Sequence, residues 1–436
     1  MLEKYKEFMQ KFISYKSIST DSEYKNACKD TTLFLKSEFE QKGFKVEVIE
    51  GFGNPIFTSE YIYNAELKTV LIYGHYDVQP ADISEGWAKD PFSIFEKDGR
   101  LIARGIVDNK GQIGVHIVTV FNLIEEGKLK YNVKFIIEGD EETGSEHLPE
   151  FFNQHAHKLK ADFVLISDGE LMAGHPLIDI GYRGIFNSTL KIKTSEKDNH
   201  SGLYGGSIPN AVNELTQLLS KMHNANGRLE IPGINNNYLI DPTILANNKQ
   251  IPFDAKNTQE NTGAKKILGD DVDFYTLTGY LTSAEVTGIQ GGYIAEGYKN
   301  AIPGSAFAKI NFRLAGNMSV DSASKAFIKF IEDNKPEYID YEFIIDQANE
   351  PIVLDYKNEY IQNTTIIQKE VYGVDTLLLY CGAIIPIAGY FQAYLKVPVI
   401  SAGMGNEDCN MHGVNENFKI EDLNKGLEFS KKLLSN

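Results

Sequence analysis

Residues 69–80 read TVLIYGHYDVQP. Thr69 to Tyr73 are β-branched, aliphatic or aromatic, the composition of a strand buried on both faces, and Gly74, His75 and Asp77 put polar chemistry where that strand ends. Three further runs have the same form: Val133 to Ile137, Phe163 to Ile166 and Val397 to Ser401, each leading into glycine or acidic residues. Helical spacing intervenes, as in Ile113, Ile117, Val120 and Ile124. This alternation predicts an α/β fold, a mostly parallel sheet with flanking helices. In open sheets of this kind ligands bind beyond the carboxyl ends of the strands, so the residues after each run are where chemistry is expected.

The pattern changes in the middle of the chain. Phe186 to Ile192 alternates as a strand, Val212, Leu215, Leu218, Leu219 and Met222 recur at helical spacing, and Ala306 to Arg313 alternates again. Ala323 to Ile331 returns to helix and Tyr341 to Ile345 is a last strand. This β-α-β-α-β unit predicts an α+β lid and dimerisation domain at 185–350, inserted into a discontinuous catalytic domain of 1–184 and 351–436. Asn224 to Gly297 is too long for a plain loop and is expected to carry structure of its own.

The chain has 436 residues, enough for two or three domains. Its 43 Lys and Arg against 60 Asp and Glu give a net charge of −17, which argues against nucleic acid or an anionic membrane surface as partner. Cys28, Cys381 and Cys409 are too scattered for a disulfide framework or a CxxC knuckle, which fits a reducing compartment. The first 17 residues read as an amphipathic helix rather than a secretory signal, and no run approaches the ~20 apolar residues of a membrane span. A cytoplasmic protein is expected.

Each strand end carries side chains able to bind a metal. In extended backbone residues two apart point the same way, so Asp77 is placed to orient His75, although a strand-end histidine beside a turn aspartate has the same signature. Val133 to Ile137 runs into Glu138, Gly139, Asp140, Glu141 and Glu142. Adjacent acids repel unless a cation or solvent neutralises them, so this segment is either a ligand with a general base or a solvated acidic turn. Asp108, in RGIVDNKG at 104–111, precedes a helix and is a ligand or an N-cap. Asp168 follows the next strand as ligand or turn residue, and beyond the last strand come His412, Asn415 and Glu416. Convergence decides the weighing. Four strand ends and one helix start supply two imidazoles and three or four carboxylates, a donor set suited to two divalent ions of the zinc or manganese type that share a carboxylate and a hydroxide. Cys409 is a soft donor by type, but a small buried residue is the favoured reading.

Together these segments resemble the co-catalytic metallopeptidases, a family of carnosinases, bacterial dipeptidases, acetylornithine deacetylase, succinyl-diaminopimelate desuccinylase and glutamate carboxypeptidase. The resemblance spans nearly the whole chain. It rests on GHYDVQP at 74–80, WAKDPF at 87–92, RGIVDNKG at 104–111, EGDEETGS at 138–145, ISDG at 166–169, HSG at 200–202 and GMGNEDCNMHGVNE at 403–416. It implies His75 and Asp168 on one metal, Glu142 and His412 on the other, and Asp108 bridging, with zinc the first expectation and manganese or cobalt the alternatives. Asp77 is then the partner that orients His75, and Glu141 the general base. His200 matches a lid histidine that acts in the partner subunit's site, which implies a homodimer. Arg313 matches the arginine that binds the substrate carboxylate, and Asn300 a further polar contact.

GHYDVQP and the long stretch from Asn224 to Gly297 look more like carnosinases and dipeptidases than deacylases. Where carnosinase-like members have Gly-Gly-Ser-Ile-Pro at the carboxylate end of the pocket, this chain reads Gly382, Ala383, Ile384, Ile385, Pro386, and the missing hydroxyl favours a more apolar residue there. The expected function is a di-metal hydrolase of dipeptides or short peptides with free termini. The alternatives are an N-acyl amino acid deacylase and a peptide-binding protein that has lost turnover.

Overall fold

The four apolar runs become four adjacent parallel strands. Asn132–Glu138, Thr69–His75, Phe163–Ile166 and Val399–Ser401 lie side by side in that order. Their register sets His75 opposite Glu138, Tyr73 opposite Ile166, and Ile166 opposite Ser401, so all four stop at one edge of the sheet. Ile56–Tyr61 runs antiparallel to Asn132–Glu138, and Lys45–Ile49 closes that side. Beyond Val399–Ser401 the sheet continues with Leu177–Tyr182, antiparallel and paired through Asp179.

The computed structural model describes residues 1–234, 241–268, 273–316, 318–382 and 386–436. The chain forms two units, one of Met1–Asp179, Leu354–Leu378 and Ile387–Asn436, the other of Ile180–Val353 and Leu379–Pro386. In the first unit the helix Lys110–Glu126 packs on the strand Thr69–His75, flanked by Leu2–Ser14 and Ile420–Ser435. It is buried over nearly its whole length, which is why it carries Ile113, Val115, Ile117, Val118 and Val120 rather than a single apolar stripe. Gly114 permits the close approach of Leu2–Ser14, since a Cβ there would lie 2.4 Å from Met9 Sδ. A small antiparallel sheet of Asn417–Lys419, Arg100–Ile102 and Phe95–Lys97 joins the C-terminal loop to the segment preceding that helix.

The second unit holds an antiparallel sheet in the order Ser283–Gly291, Ser305–Leu314, Gly184–Lys193, Asp340–Asn349. The helices Ala211–Ser220 and Val320–Asn334 contribute Leu215, Leu218, Phe327 and Ile331 to a core with Phe186, Leu190 and Phe312. Each such buried side chain contributes roughly 1.5–3 kcal/mol. The long stretch from Asn224 supplies the edge strand Ser283–Gly291 and the helices Pro242–Asn248 and Ala255–Thr262. Leu379–Pro386 groups with this unit because Arg183 N–H donates to Cys381 O at 3.2 Å and the rings of Tyr280 and Tyr380 meet at 3.9 Å. Among the described residues no helix is long and apolar enough to cross a membrane.

Candidate metal centre

Five side chains from the aligned strand ends and their loops form two donor groups that share one carboxylate. His75, Asp108 and Asp168 make the first, and Asp108, Glu142 and His412 the second, with the donor atoms of each group within 4.8 Å of one another. His75 Nε2 lies 3.1 Å from Asp108 Oδ1 and 3.6 Å from Asp168 Oδ2. His412 Nε2 lies 2.8 Å from Asp108 Oδ2 and 3.3 Å from Glu142 Oε2. The N-cap of the following helix is Asn109, so the Asp108 side chain is free to face both imidazoles. Asn109 itself ties two strand ends together, accepting from His75 N–H at 3.3 Å and donating to Ser167 O at 2.7 Å.

Asp77 organises both sides of this cluster. His75 Nδ1 lies 3.1 Å from the Asp77 carbonyl oxygen, and a carbonyl only accepts, so Nδ1 is the donor and the Nε2 lone pair of the neutral ring is left for the cluster. The Asp77 carboxylate accepts from the backbone N–H of Glu141 at 3.3 Å and of Glu142 at 3.0 Å. Glu141 belongs to neither donor group and places Oε2 3.9 Å from His75 Nε2. Gln79 Nε2 donates to Glu142 Oε2 at 2.6 Å, which fixes that carboxylate. The other acids of the segment serve the turn. Asp140 accepts from the N–H and the amide of Asn54, and buried Glu138 accepts from Tyr73 and Ser145 hydroxyls at 2.7 and 2.9 Å.

These residues fit divalent ions. His75 Nε2 is buried with no hydrogen-bond partner, yet several carboxylates crowd around it, and a cation satisfies both the lone pair and the acids. Burial pushes the Glu141 carboxyl up to about 7, with Asp168, Asp108 and Asp77 adding to the shift and His75 opposing it. Burial also favours neutral Asp108, but His412 and His75 outweigh it and hold the carboxyl below the usual range. Burial pulls His75 down, and Asp108, Asp168 and Asp77 more than reverse this, leaving its pKa well above that of a free histidine. Asp108 and Glu142 raise His412 to about 10. The surrounding carboxylates thus favour the protonated form of both imidazoles, and a metal competes with those protons. Titrating metal into stripped protein at pH 7 is expected to release protons, and the apparent affinity to rise with pH. Calorimetry in buffers of differing ionisation enthalpy measures this, and pH-independent uptake overturns it.

Cys409 is buried and donates Sγ–H to Glu170 Oε1 at 2.7 Å, and it joins neither donor group. Glu416 and Arg104, to which the sequence reading gave no role, are buried beside Asp108 and form an ion pair of 2.8 Å. The only sequence signal for them was membership in the same motifs as His412 and Asp108.

His200, Asn300, Arg313 and Gly382 belong to the second unit. His200 is exposed on the short strand Asn199–His200, and its Nδ1 accepts from Gly202 N–H at 3.0 Å, which assigns the ring proton of the neutral form to the outward Nε2. Asn300 is exposed and its carbonyl accepts from Ser201 N–H. Arg313 lines a cavity of about 470 Å³ with Arg183, Thr278, Ser283, Glu285 and Asn311. A Cβ at Gly382 would lie 3.1 Å from Thr278 O and 3.2 Å from Arg183 Nη2, so any side chain there crowds two residues of that lining. Ala383, Ile384 and Ile385, where the hydroxyl of carnosinase-like sequences is missing, lie outside the described residues.

The sequence profile of peptidase family M20/M25/M40 matches residues 71–436. The Beta-Ala-His dipeptidase of Homo sapiens is 29% identical over 373 residues, 83% of this chain and 73% of that protein. The Cys-Gly metallodipeptidase DUG1 of Saccharomyces cerevisiae is 28% identical over 449 residues, 96% of this chain and 92% of its own. Among solved structures, the metallo-carboxypeptidase Sso-CP2 of Sulfolobus solfataricus superposes with a TM-score of 0.76 at 26% identity, covering 100% of this chain and 99% of that one.

Proposed function

The chain belongs to peptidase family M20/M25/M40, and from that premise we propose that it is a metallo-dipeptidase, hydrolysing the peptide bond of dipeptides or short peptides with free termini. The observation that carries the reading is the pair of donor groups joined through Asp108. The family is metal-dependent, and the imidazole and carboxylate donors here suit zinc, with manganese or cobalt next. His75 and Asp168 would hold one ion, Glu142 and His412 the other, with Asp108 between them. When bound, such ions polarise the scissile carbonyl and lower the pKa of water toward ~7.

The chain's own groups do the rest. Glu141 takes the proton of the attacking water and passes it to the leaving amine, a role that suits a carboxyl beside the donor groups that belongs to neither. Asp77 keeps Glu141 and Glu142 on one rigid turn through their two N–H groups. His200 donates Nε2–H to the developing oxyanion in the site of a second subunit, so the working unit is a homodimer. Arg313 receives the substrate carboxylate, a planar fork matched to two oxygens, with Asn300 and the backbone at Gly382 as further contacts. The scattered cysteines support a cytoplasmic setting.

The test is hydrolysis of a dipeptide panel that includes β-Ala-His and Cys-Gly, beside matched N-acetyl and N-succinyl amino acids, with stripped protein reloaded with zinc or manganese. Metal-dependent cleavage of free dipeptides is expected. Cleavage confined to the acylated amino acids overturns the substrate class.

A further inference from the structure

One buried carboxylate outside the donor groups is spent entirely on the segment that presents Asp108. Glu416 Oε1 accepts from the backbone N–H of Val107 at 2.8 Å and of Asp108 at 3.0 Å. Its Oε2 accepts from Arg104 Nη1 at 2.8 Å and from Gly105 N–H at 2.9 Å. Arg104 Nη2 in turn donates to His412 O at 3.2 Å and Pro80 O at 3.4 Å, and the Glu416 carbonyl accepts from Ala103 N–H at 3.1 Å. The segment 103–108 is thus wrapped around a side chain from the loop that carries His412. We infer that Glu416 is a positioning residue for the second metal position, holding Asp108 and His412 in register across the two loops.

The inference rests on the two-metal reading of the site. It predicts an asymmetry between the two donor groups. His75 and Asp168 sit at the ends of paired strands, and Asn109 links those ends independently of Glu416. His412 sits in a loop, and its 2.8 Å approach to Asp108 depends on the contacts that Glu416 and Arg104 make. A glutamine at 416 keeps one acceptor oxygen and turns an NH₂ group toward N–H donors, so half of the cradle is lost while the shape is kept. Loss of Glu416 should therefore weaken the second ion far more than the first.

The experiment is stepwise metal binding by stripped protein, read by calorimetry with chelator competition, for wild type, Glu416→Gln and the double variant Arg104→Met/Glu416→Gln. The double variant leaves no unpaired buried charge, which protects the test against simple misfolding. In both variants the second equivalent is expected to bind about 10- to 100-fold more weakly, with the first within about threefold of wild type. Equal weakening of both equivalents, or no change, overturns the inference. Variants that lack native circular dichroism also overturn it, because Glu416 then holds the fold and not the site. Wild type that takes up fewer than two ions removes the two-metal reading and this inference with it, while the dipeptide panel still decides the activity on its own.

Discussion

Glu141→Ala protein retains two bound ions and loses about 10²- to 10⁴-fold in kcat. The retention follows because neither donor group uses Glu141. The loss follows because its carboxyl is held near the cluster, 3.9 Å from His75 Nε2, outside both donor groups and so placed to accept and return a proton. Metal content by mass spectrometry and kcat on the same sample check both halves. A variant with two ions and wild-type kcat removes Glu141 from the mechanism, and one that binds fewer ions makes it a ligand instead of a base. Glu141→Asp should fall between the two, since the shorter arm keeps the acid but withdraws it from the reacting atoms.

At substrate well below KM, mixing His200→Ala protein with Arg313→Ala protein restores activity that each alone has lost. Loss of an oxyanion donor costs about 10²- to 10³-fold in kcat, and loss of Arg313 should appear mainly in KM. If His200 serves the partner's site, a hybrid dimer contains one site with both residues intact. Random exchange at equal concentrations makes half the dimers hybrid, so about a quarter of wild-type activity is expected. The outward Nε2–H of His200 is what makes it available for such a role. Verified subunit exchange without restoration places His200 in its own subunit's chemistry or in none.

The strands bearing the donor groups were legible because they are buried on both faces and therefore written as unbroken apolar runs, with their chemistry concentrated where the runs stop. The convergence of His75, Glu142, Asp168 and His412 was legible for the same reason, since a parallel sheet brings its carboxyl ends to one edge, and Asp108 was legible from its place at a helix start. The edge strand Ser283–Gly291 was not. Only Ala284 in it is buried, and two glycines interrupt any alternation, so it carries no period to read. The cradle around Glu416 was hidden for a different reason. A glutamate in a polar loop looks solvated, and the backbone N–H groups that bury it lie 308 to 311 positions earlier in the chain. Asp77 was legible as the partner of His75, but its hold on the turn of Glu141 and Glu142 depends on strand register that no local pattern records.

The order of the sheet also sets an order of assembly on the ribosome. Val399–Ser401 occupies the place between Phe163–Ile166 and Leu177–Tyr182, although it is made long after both. Until it emerges, Phe163–Ile166 offers an unpaired edge, and His412 comes later still. At ~5–20 residues per second the first residue of the donor groups, His75, waits on the order of tens of seconds for the last, His412. A nascent or truncated chain thus lacks the second donor group, and its exposed strand edge is an aggregation hazard.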